Sequence, residues 1–256
     1  MKELNVTVLE NELLTSGIYK MKFALPEKVS CLHCGKFVNI SVDDGAHLLR
    51  RPIAICEYDE MSVTICYQIK GKGTRALSRV KQGDSLSCVL PLGNGFVLEE
   101  SEKRVALIGG GVGIFPMVSV LREYDLSDKI FSSYMGFRNR DAVCMEEVFR
   151  SRSAYAEIVT DDGSYGRKGN AVAAFFENLK QLPDIILSCG PLPMLRALKE
   201  GLKERGLSMP CFVSLEERMA CGIGACLVCV CKREGGKENA RVCKDGPVFE
   251  INEVEI

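Results

Sequence analysis

The chain has 256 residues, of which 46% are hydrophobic and 26% charged, and its formal net charge is −1. A chain of this length and composition is large enough for two or more globular domains, and its near-neutral charge excludes a general attraction to nucleic acid or acidic membranes. Its 13 cysteines do not indicate a disulfide-rich secreted protein, because the first residues lack an apolar signal segment. We therefore expect a cytoplasmic protein. No stretch reaches the roughly 18 apolar residues of a membrane-spanning helix.

The first hundred residues carry the period of two that is typical of β-strands. Apolar and polar residues alternate over residues 19–25, 38–42 and 63–69, with glycine-rich turns between them. Several such strands with almost no helical period predict a small antiparallel β-barrel. A run of charged residues at 99–104 indicates the end of this domain.

The pattern then changes to strands that alternate with helices. Apolar strand candidates at residues 105–108, 129–135, 156–160 and 184–188 are separated by amphipathic stretches such as 171–179. This alternation predicts a parallel sheet with helices on both faces. A further strand at 211–214 leads into a cysteine-rich tail. The predicted fold is thus a multi-domain β plus α/β chain, with an antiparallel β-barrel at 1–100, a parallel-sheet domain at 101–209 and a small C-terminal domain at 210–256.

Two glycine-containing turns follow predicted parallel strands. The first contains Gly109, Gly110, Gly111 and Gly113 and opens a helix, where backbone N–H groups can receive a pyrophosphate. The second comprises Cys189, Gly190 and Pro191. Because ligands collect at the carboxyl ends of parallel strands, the two turns are candidates to flank one nucleotide. Close helix–strand packing is the alternative explanation for the glycines.

The predicted barrel contains a candidate phosphate site of its own. Thr74 is a candidate N-cap of a short helix, with Lys72 and Arg75 nearby, and the N-terminus of such a helix attracts phosphate. Arg51 is suited to a bidentate phosphate contact. An exposed cationic turn without a ligand explains the same residues.

The cysteines near the C-terminus carry the most specific pattern. Cys221, Cys226 and Cys229 have the C-x4-C-x2-C spacing by which plant-type ferredoxins hold a [2Fe-2S] cluster, and Cys243 is the distant fourth candidate. Small residues between the first two cysteines allow a tight loop whose N–H groups can bond the sulfurs. A structural zinc site is the alternative, but no second C-x2-C pair lies downstream. Cys231 fits the ferredoxin spacing less well.

The other cysteines and the histidines have ordinary interpretations. Cys66 and Cys88 lie in alternating strands and are expected in the core. Cys31 and Cys34 form a C-x2-C pair around His33, but this pair stands alone and predicts no metal site. Neither His33 nor His47 has an identifiable acid–base partner. We therefore expect no chemistry that depends on histidine.

The order of these motifs resembles the ferredoxin-NADP reductase superfamily. Within it, the chain is most similar to the electron-transfer subunits of the NAD-linked, two-subunit dihydroorotate dehydrogenases of pyrimidine synthesis. The resemblance covers nearly the whole chain. It is carried by the motifs at residues 51–54, 71–74, 91–96, 109–116, 160–166, 189–191, 215–226 and 241–249.

The resemblance implies three cofactors and their residues. The FAD-binding residues of the barrel would be Arg51, Pro52, Ile53, Ala54, Cys66, Tyr67, Gln68, Gly73 and Thr74. NAD(H) would bind at Gly109, Gly110, Gly111, Gly113, Cys189, Gly190 and Pro191. The [2Fe-2S] cluster would be held by Cys221, Cys226, Cys229 and Cys243. Family members commonly carry a hydroxyl residue where this chain has Ala54.

The resemblance also implies an oxidoreductase subunit with a partner. An FMN-containing catalytic subunit would oxidise dihydroorotate, and electrons would pass through the cluster and FAD to NAD+ in a heterotetramer of two plus two subunits. A second function fits the same layout, namely the small flavin and iron-sulfur subunit of a ferredoxin:NADP oxidoreductase or sulfide dehydrogenase complex. No nucleic-acid or membrane partner is expected.

Overall fold

The structure is a computed structural model and describes residues 1–42, 48–124, 126–236 and 238–256. In these residues the strands form a closed six-stranded barrel, a seven-stranded sheet and a two-stranded sheet. No described helix is both long and apolar enough to cross a membrane.

The barrel is antiparallel throughout, with the strand order β1-β2-β5-β4-β3-β6. The strands are β1 (Lys2–Thr15), β2 (Ile18–Ala24), β3 (Phe37–Ile40), β4 (Arg51–Tyr58), β5 (Ser62–Gln68) and β6 (Ser85–Leu92). The alternating residues Met21, Phe23, Val63 and Ile65 are fully buried inside it, as the period of two requires. The predicted antiparallel barrel is therefore confirmed.

A short helix, α1 (Lys72–Leu77), connects β5 to β6. Its N-cap is Gly71, whereas Thr74 is the third helical residue. The Thr74 hydroxyl accepts hydrogen bonds from the backbone N–H groups of Lys70, at 3.0 Å, and Gly71, at 3.2 Å. The prediction of Thr74 as the N-cap was therefore wrong, because the helix begins three residues earlier than predicted and the Thr74 side chain caps its first turn as the third helical residue.

The seven-stranded sheet has the order β10-β9-β8-β7-β11-β12-β15, and every pair except β12-β15 is parallel. Its strands are β7 (Arg104–Gly110), β8 (Ile130–Phe137), β9 (Tyr155–Thr160), β10 (Arg167–Lys168), β11 (Ile185–Cys189), β12 (Cys211–Ser214) and β15 (Val248–Glu250). The flanking helices are α2 (Ile114–Glu123), α3 (Glu146–Arg152), α4 (Ala171–Glu177) and α5 (Leu192–Glu204). The predicted parallel-sheet fold is confirmed.

The C-terminal segment returns to this sheet after the cysteine loop. A small ribbon of β13 (Val230–Cys231) and β14 (Ala240–Arg241) lies between β12 and β15. The predicted domain boundaries at residues 100 and 209 stay predictions. Strands β12 and β15 lie after residue 209 but belong to the same sheet, β12 parallel to β11 and β15 antiparallel to β12.

Strand order determines where a ligand can bind. β7 and β11 are direct neighbours, and Gly109 pairs with Cys189 at their carboxyl ends. Both predicted turns therefore lie side by side at the carboxyl ends of two central strands, where α2 also begins.

Candidate flavin, nucleotide and cluster sites

The two glycine-containing turns touch each other. A Cβ atom on Gly113 would lie 2.2 Å from the carbonyl oxygen of Cys189, so no larger residue fits there without separating the turns. Gly111 has a φ of +55° and open space around it, as expected of a turn that leaves room for a ligand. Both explanations for the glycines therefore apply. Gly113 allows the two turns to pack closely, and Gly111 leaves space for a ligand to approach the backbone.

A cleft of about 370 Å³ opens between these turns and the barrel. Phe115 and Pro116 of α2 form part of its wall. The predicted residues that line it are Pro52, Ile53, Ala54, Cys66, Tyr67, Gln68 and Thr74 from the barrel, with Gly110, Gly111, Gly113, Cys189, Gly190 and Pro191 from the sheet. The cleft therefore brings together most residues of the two predicted binding sets.

Three predicted residues do not line this cleft. The guanidinium group of Arg51 lies against the backbone of Gly73, where a Cβ atom would meet Arg51 Nε at 2.1 Å. These two residues adjoin Thr74 at the edge of the cleft. Gly109 is buried against Met135 Sδ and Ile114, so that in this structure it serves packing.

The cleft also contains residues that the sequence analysis did not assign to it. Lys70 and Glu216 form an exposed ion pair at 3.4 Å on its rim. Further unassigned lining residues are Gly35, Phe37, Val112, Ser214, Leu215, Glu217, Met219 and Pro247. Residues 214–219 lie at and after the carboxyl end of β12, a third parallel strand. Because ligands bind at the carboxyl ends of parallel strands, the same rule that identified the first two turns could have identified this segment.

The four candidate cluster cysteines lie in the segment between β12 and β15. Cys229 and Cys243 are buried, Cys221 is half-buried and Cys226 is exposed. The N–H of Gly224 donates to Cys243 Sγ at 3.1 Å, and that of Ile223 donates to Cys221 Sγ at 3.4 Å. The N–H of Cys243 donates to Cys229 Sγ at 3.4 Å. Thiols that already accept backbone N–H bonds have the donor chemistry and environment of an iron-sulfur site.

Local electrostatics favour thiolate at one of these cysteines. Burial opposes ionisation of Cys221, but N–H donors from Ile223, Cys226 and Ala225 prevail and lower its pKa to about 6. Burial and the neighbouring Cys229 raise the pKa of Cys243 to about 12 in the absence of a metal. Coordination requires thiolates and therefore releases any remaining thiol protons.

The segment that carries Cys243 is held by a bidentate ion pair. Arg241 Nε and Nη2 each lie 3.0 Å from a carboxylate oxygen of Asp245, which also accepts the backbone N–H of Arg241 at 2.8 Å. Such fork-like pairs fix geometry as well as charge. Cys231 lies outside this segment on β13, and burial raises the pKa of its thiol.

The expectation that His33 has no acid–base partner was wrong. Its Nδ1 contacts a carboxylate oxygen of Glu123, the last residue of α2, and this contact is the main reason for the raised pKa of His33. The two residues are 90 positions apart, so no local pattern announced the pair. His47 lies outside the described residues.

Comparison with known proteins identifies the family. Residues 216–255 match the family described as the iron-sulfur cluster binding domain of dihydroorotate dehydrogenase B. The chain is 39% identical over 260 residues to the dihydroorotate dehydrogenase B (NAD+) electron transfer subunit of Streptococcus mutans, covering 98% of this chain and 97% of that protein. It is also 39% identical to the Fusobacterium nucleatum subunit of that name, with both chains covered completely. The chain belongs to this family of electron transfer subunits.

Solved structures agree with the assignment at the level of the fold. The structure of an NADH-dependent reduced ferredoxin-NADP oxidoreductase superposes with a TM-score of 0.86 at 27% identity, covering 98% of this chain and 90% of the other. The flavohem-like FAD/NAD binding domain of nitric oxide dioxygenase from Vibrio cholerae has a TM-score of 0.69 at 16% identity, covering 82% and 98%. The latter shows the ferredoxin-reductase-like fold alone.

The family assignment decides several expectations. The predicted resemblance and the predicted role as an electron transfer subunit of an oxidoreductase are confirmed, and the curated relatives support this function over the ferredoxin:NADP oxidoreductase alternative. The iron-sulfur domain match favours a cluster over structural zinc at the C-terminal cysteines. The individual binding residues stay predictions.

Proposed function

We propose that this chain transfers electrons from an FMN-containing, dihydroorotate-oxidising catalytic subunit to NAD+, with FAD in the cleft and a [2Fe-2S] cluster on Cys221, Cys226, Cys229 and Cys243. The observation that carries the proposal is the single cleft lined by barrel strands β4 and β5 and by the turns after β7 and β11. When bound, FAD exchanges hydride with nicotinamide and single electrons with the cluster. The protein would hold these groups in position and set the charge around them.

The barrel residues would hold the flavin. Pro52, Ile53 and Ala54 of β4 and Cys66 and Tyr67 of β5 form a wall of low polarity suited to an aromatic ring system. Ala54 cannot donate a side-chain hydrogen bond, so orientation of the ring would depend on shape and on backbone groups.

The phosphates would lie at the edge of this wall. The Arg51 guanidinium lies beside Gly73 and would supply positive charge there. The Thr74 hydroxyl is already engaged with the backbone of Lys70 and Gly71, which fixes the turn. This arrangement supports a pyrophosphate position next to Gly73 and Thr74.

The sheet residues would hold the nicotinamide nucleotide. Gly110 and Gly111 lead into the N-terminus of α2, where the positive end of the helix dipole favours an anion. Gly190 and Pro191 form the facing turn. A nucleotide between the turns would be placed against the flavin wall, because both line the same cleft, and holding two reactants in this way lowers the entropic cost of hydride transfer.

The partner would dock around the cluster loop. The apolar side chains Ile223, Leu227 and Val228 are 44%, 60% and 51% exposed beside the cluster cysteines, and contiguous exposed apolar residues are typical of a protein interface. Leu227→Asn tests this surface, because asparagine tolerates the φ of +57° at that position. Leu13→Asn is the matched control, with 61% exposure on the barrel. Loss of co-purification only with Leu227→Asn is expected, and equal retention by both variants contradicts the docking site.

The decisive experiment uses the complex. Co-expression with an FMN-bearing dihydroorotate dehydrogenase subunit, followed by anaerobic purification, should give NAD+ reduction that depends on dihydroorotate. Native mass measurement should give two copies of each subunit. An active partner with no NAD+ reduction through this chain would overturn the proposed function, while another mass would overturn only the stoichiometry. The cytoplasmic location stays a prediction.

A further inference from the structure

A second group of potential metal ligands lies away from the cleft. His33 and Cys34 are in the barrel segment before β3, and Glu123 ends α2. A ring nitrogen of His33, Cys34 Sγ and a carboxylate oxygen of Glu123 all lie within 4.8 Å of one another. None of the three lines the cleft, and electron transfer as derived above uses none of them.

The donor set is one that zinc prefers. Zinc binds cysteine sulfur at about 2.3 Å and histidine nitrogen or carboxylate oxygen at about 2.0–2.2 Å. Tetrahedral ligands at those distances are roughly 3.5 Å apart, so His33 Nδ1 and the Glu123 oxygen that it contacts would move apart to admit the ion between them. The sequence showed two of these three ligands together, because the carboxylate comes from a helix 90 residues away.

The surrounding groups orient the carboxylate. The Tyr58 hydroxyl donates to Glu123 Oε2 at 2.6 Å, and the Cys34 backbone N–H donates to the same oxygen at 2.5 Å. The other oxygen, Oε1, is left to face His33. Outer partners of this kind fix the orientation of metal-binding carboxylates. Glu123 also lies at the C-terminal end of α2, where the helix dipole favours a cation.

The His33 ring nitrogen that does not contact Glu123 lacks a partner in the part of the chain that the structure describes. His33 Nε2 is buried and has no hydrogen-bond partner among the described residues, while the ring packs against Gly95, where a Cβ atom would lie 2.5 Å from His33 Cδ2. The buried Cys34 thiol donates one hydrogen bond, at 3.3 Å, to the carbonyl of Phe96.

We propose that His33, Cys34 and Glu123 bind one Zn²⁺ that joins the barrel to α2. Binding releases the thiol proton of Cys34 and the proton between His33 and Glu123, and the two negative ligands balance the charge of the ion. Gly35, next to Cys34, lines the cleft, as do Phe115 and Pro116 near the start of α2. The zinc would therefore lie outside the cleft and fix the barrel wall at Gly35 relative to the wall formed by α2.

The test measures zinc and iron in the same full-length, flavin-loaded protein, purified anaerobically from zinc-supplemented medium. We expect one zinc per chain beside the iron of the cluster. Cys34→Ser and Glu123→Gln should lower the zinc at least roughly tenfold, and Tyr58→Phe should weaken zinc binding about tenfold, with iron and flavin unchanged. Cys88→Ser is the control, because Cys88 is an equally buried thiol in the barrel core.

X-ray absorption at the zinc edge of the wild-type protein decides the ligands even if a variant fails to fold. One sulfur at about 2.3 Å with nitrogen and oxygen ligands at about 2.0 Å is expected. Four sulfurs would place the zinc on the cluster cysteines and overturn the proposal, and two or more would overturn this ligand set. Iron-loaded protein that takes up no zinc, or equal zinc loss in Cys88→Ser, would overturn it as well.

Discussion

The side-chain amide of Asn39 lies against Gly222 of the cluster loop. A Cβ atom on Gly222 would approach Asn39 Nδ2 to 2.7 Å and Leu92 Cδ1 to 3.3 Å. Asn39 is fully buried on β3, and neither its Nδ2 nor its Oδ1 has a hydrogen-bond partner among the described residues. The barrel and the cluster loop therefore meet at a polar group that forms no hydrogen bond with the part of the chain that the structure describes.

Gly222→Ala should impair cluster retention. Gly222 and Gly236 have nearly equal φ angles of +72° and +70°, but only Gly222 is crowded, since nothing lies within 4 Å of a Cβ on Gly236. Alanine would suffer a similar backbone strain at both positions, about 1–2 kcal/mol. Gly236→Ala is therefore a matched control. We expect Gly222→Ala to lose most of its iron and Gly236→Ala to keep it, as measured by iron content per chain. Equal iron in both variants would contradict the packing role.

Asn39→Leu should change the reduction potential of the cluster without removing it. The unpaired amide faces the loop between Cys221 and Cys226, and N–H donors near cluster sulfur raise the potential. Loss of one hydrogen bond of about 1 kcal/mol lowers a one-electron potential by roughly 40 mV. A redox titration followed by electron paramagnetic resonance measures this, and the flavin potential in the same sample is the internal reference. An unchanged cluster potential would show that Asn39 does not reach the cluster.

Local signals account for what the sequence predicted correctly. The period of two in β2 and β5 and the glycine turns after β7 and β11 are properties of short segments, and the rule for parallel sheets places those turns at one edge. The contacts of His33 with Glu123 and of Asn39 with Gly222 join residues 90 and 183 positions apart. Such pairs arise from tertiary packing, for which single-sequence patterns carry no signal. Thr74 was misplaced for a smaller reason, since boundaries of short helices are uncertain by a few residues.

Gly113→Ala should weaken nucleotide binding more than Gly111→Ala. The new methyl group at 113 would overlap the carbonyl of Cys189, whereas the methyl group at 111 meets no atom within 4 Å. Forcing the two turns apart should cost about 1–3 kcal/mol, while alanine at Gly111 pays only for its φ of +55°. Titration of the purified protein with NADH, followed by flavin absorbance, gives the dissociation constants. A larger effect at Gly111 would contradict the assignment of Gly113 as the contact between the turns.

Asp184→Asn should destabilise the parallel sheet by an amount that is constant between pH 8 and pH 5. Asp184 Oδ2 accepts the backbone N–H groups of Lys103 and Arg104 at 2.9 and 2.8 Å, and Oδ1 accepts from the Arg104 guanidinium at 2.7 Å. The Arg104 donors come first among the causes that lower the pKa of this carboxyl below its ordinary value of 3.8. A lowered folded-state pKa gives stability that is complete above the unfolded value and is lost only as pH falls through the folded one.

We expect Asp184→Asn to lower the free energy of unfolding by about 1 kcal/mol throughout that range, and the difference from wild type to shrink only below about pH 4. Urea unfolding followed by circular dichroism measures it, because the chain contains no tryptophan. Asp128→Asn is the control. Asp128 forms an exposed ion pair with the side chain of Lys103, and exposed ion pairs contribute little to stability. A difference that already declines between pH 7 and pH 5 would contradict the lowered pKa, and an equal loss in Asp128→Asn would show that the backbone N–H bonds to Asp184 add nothing.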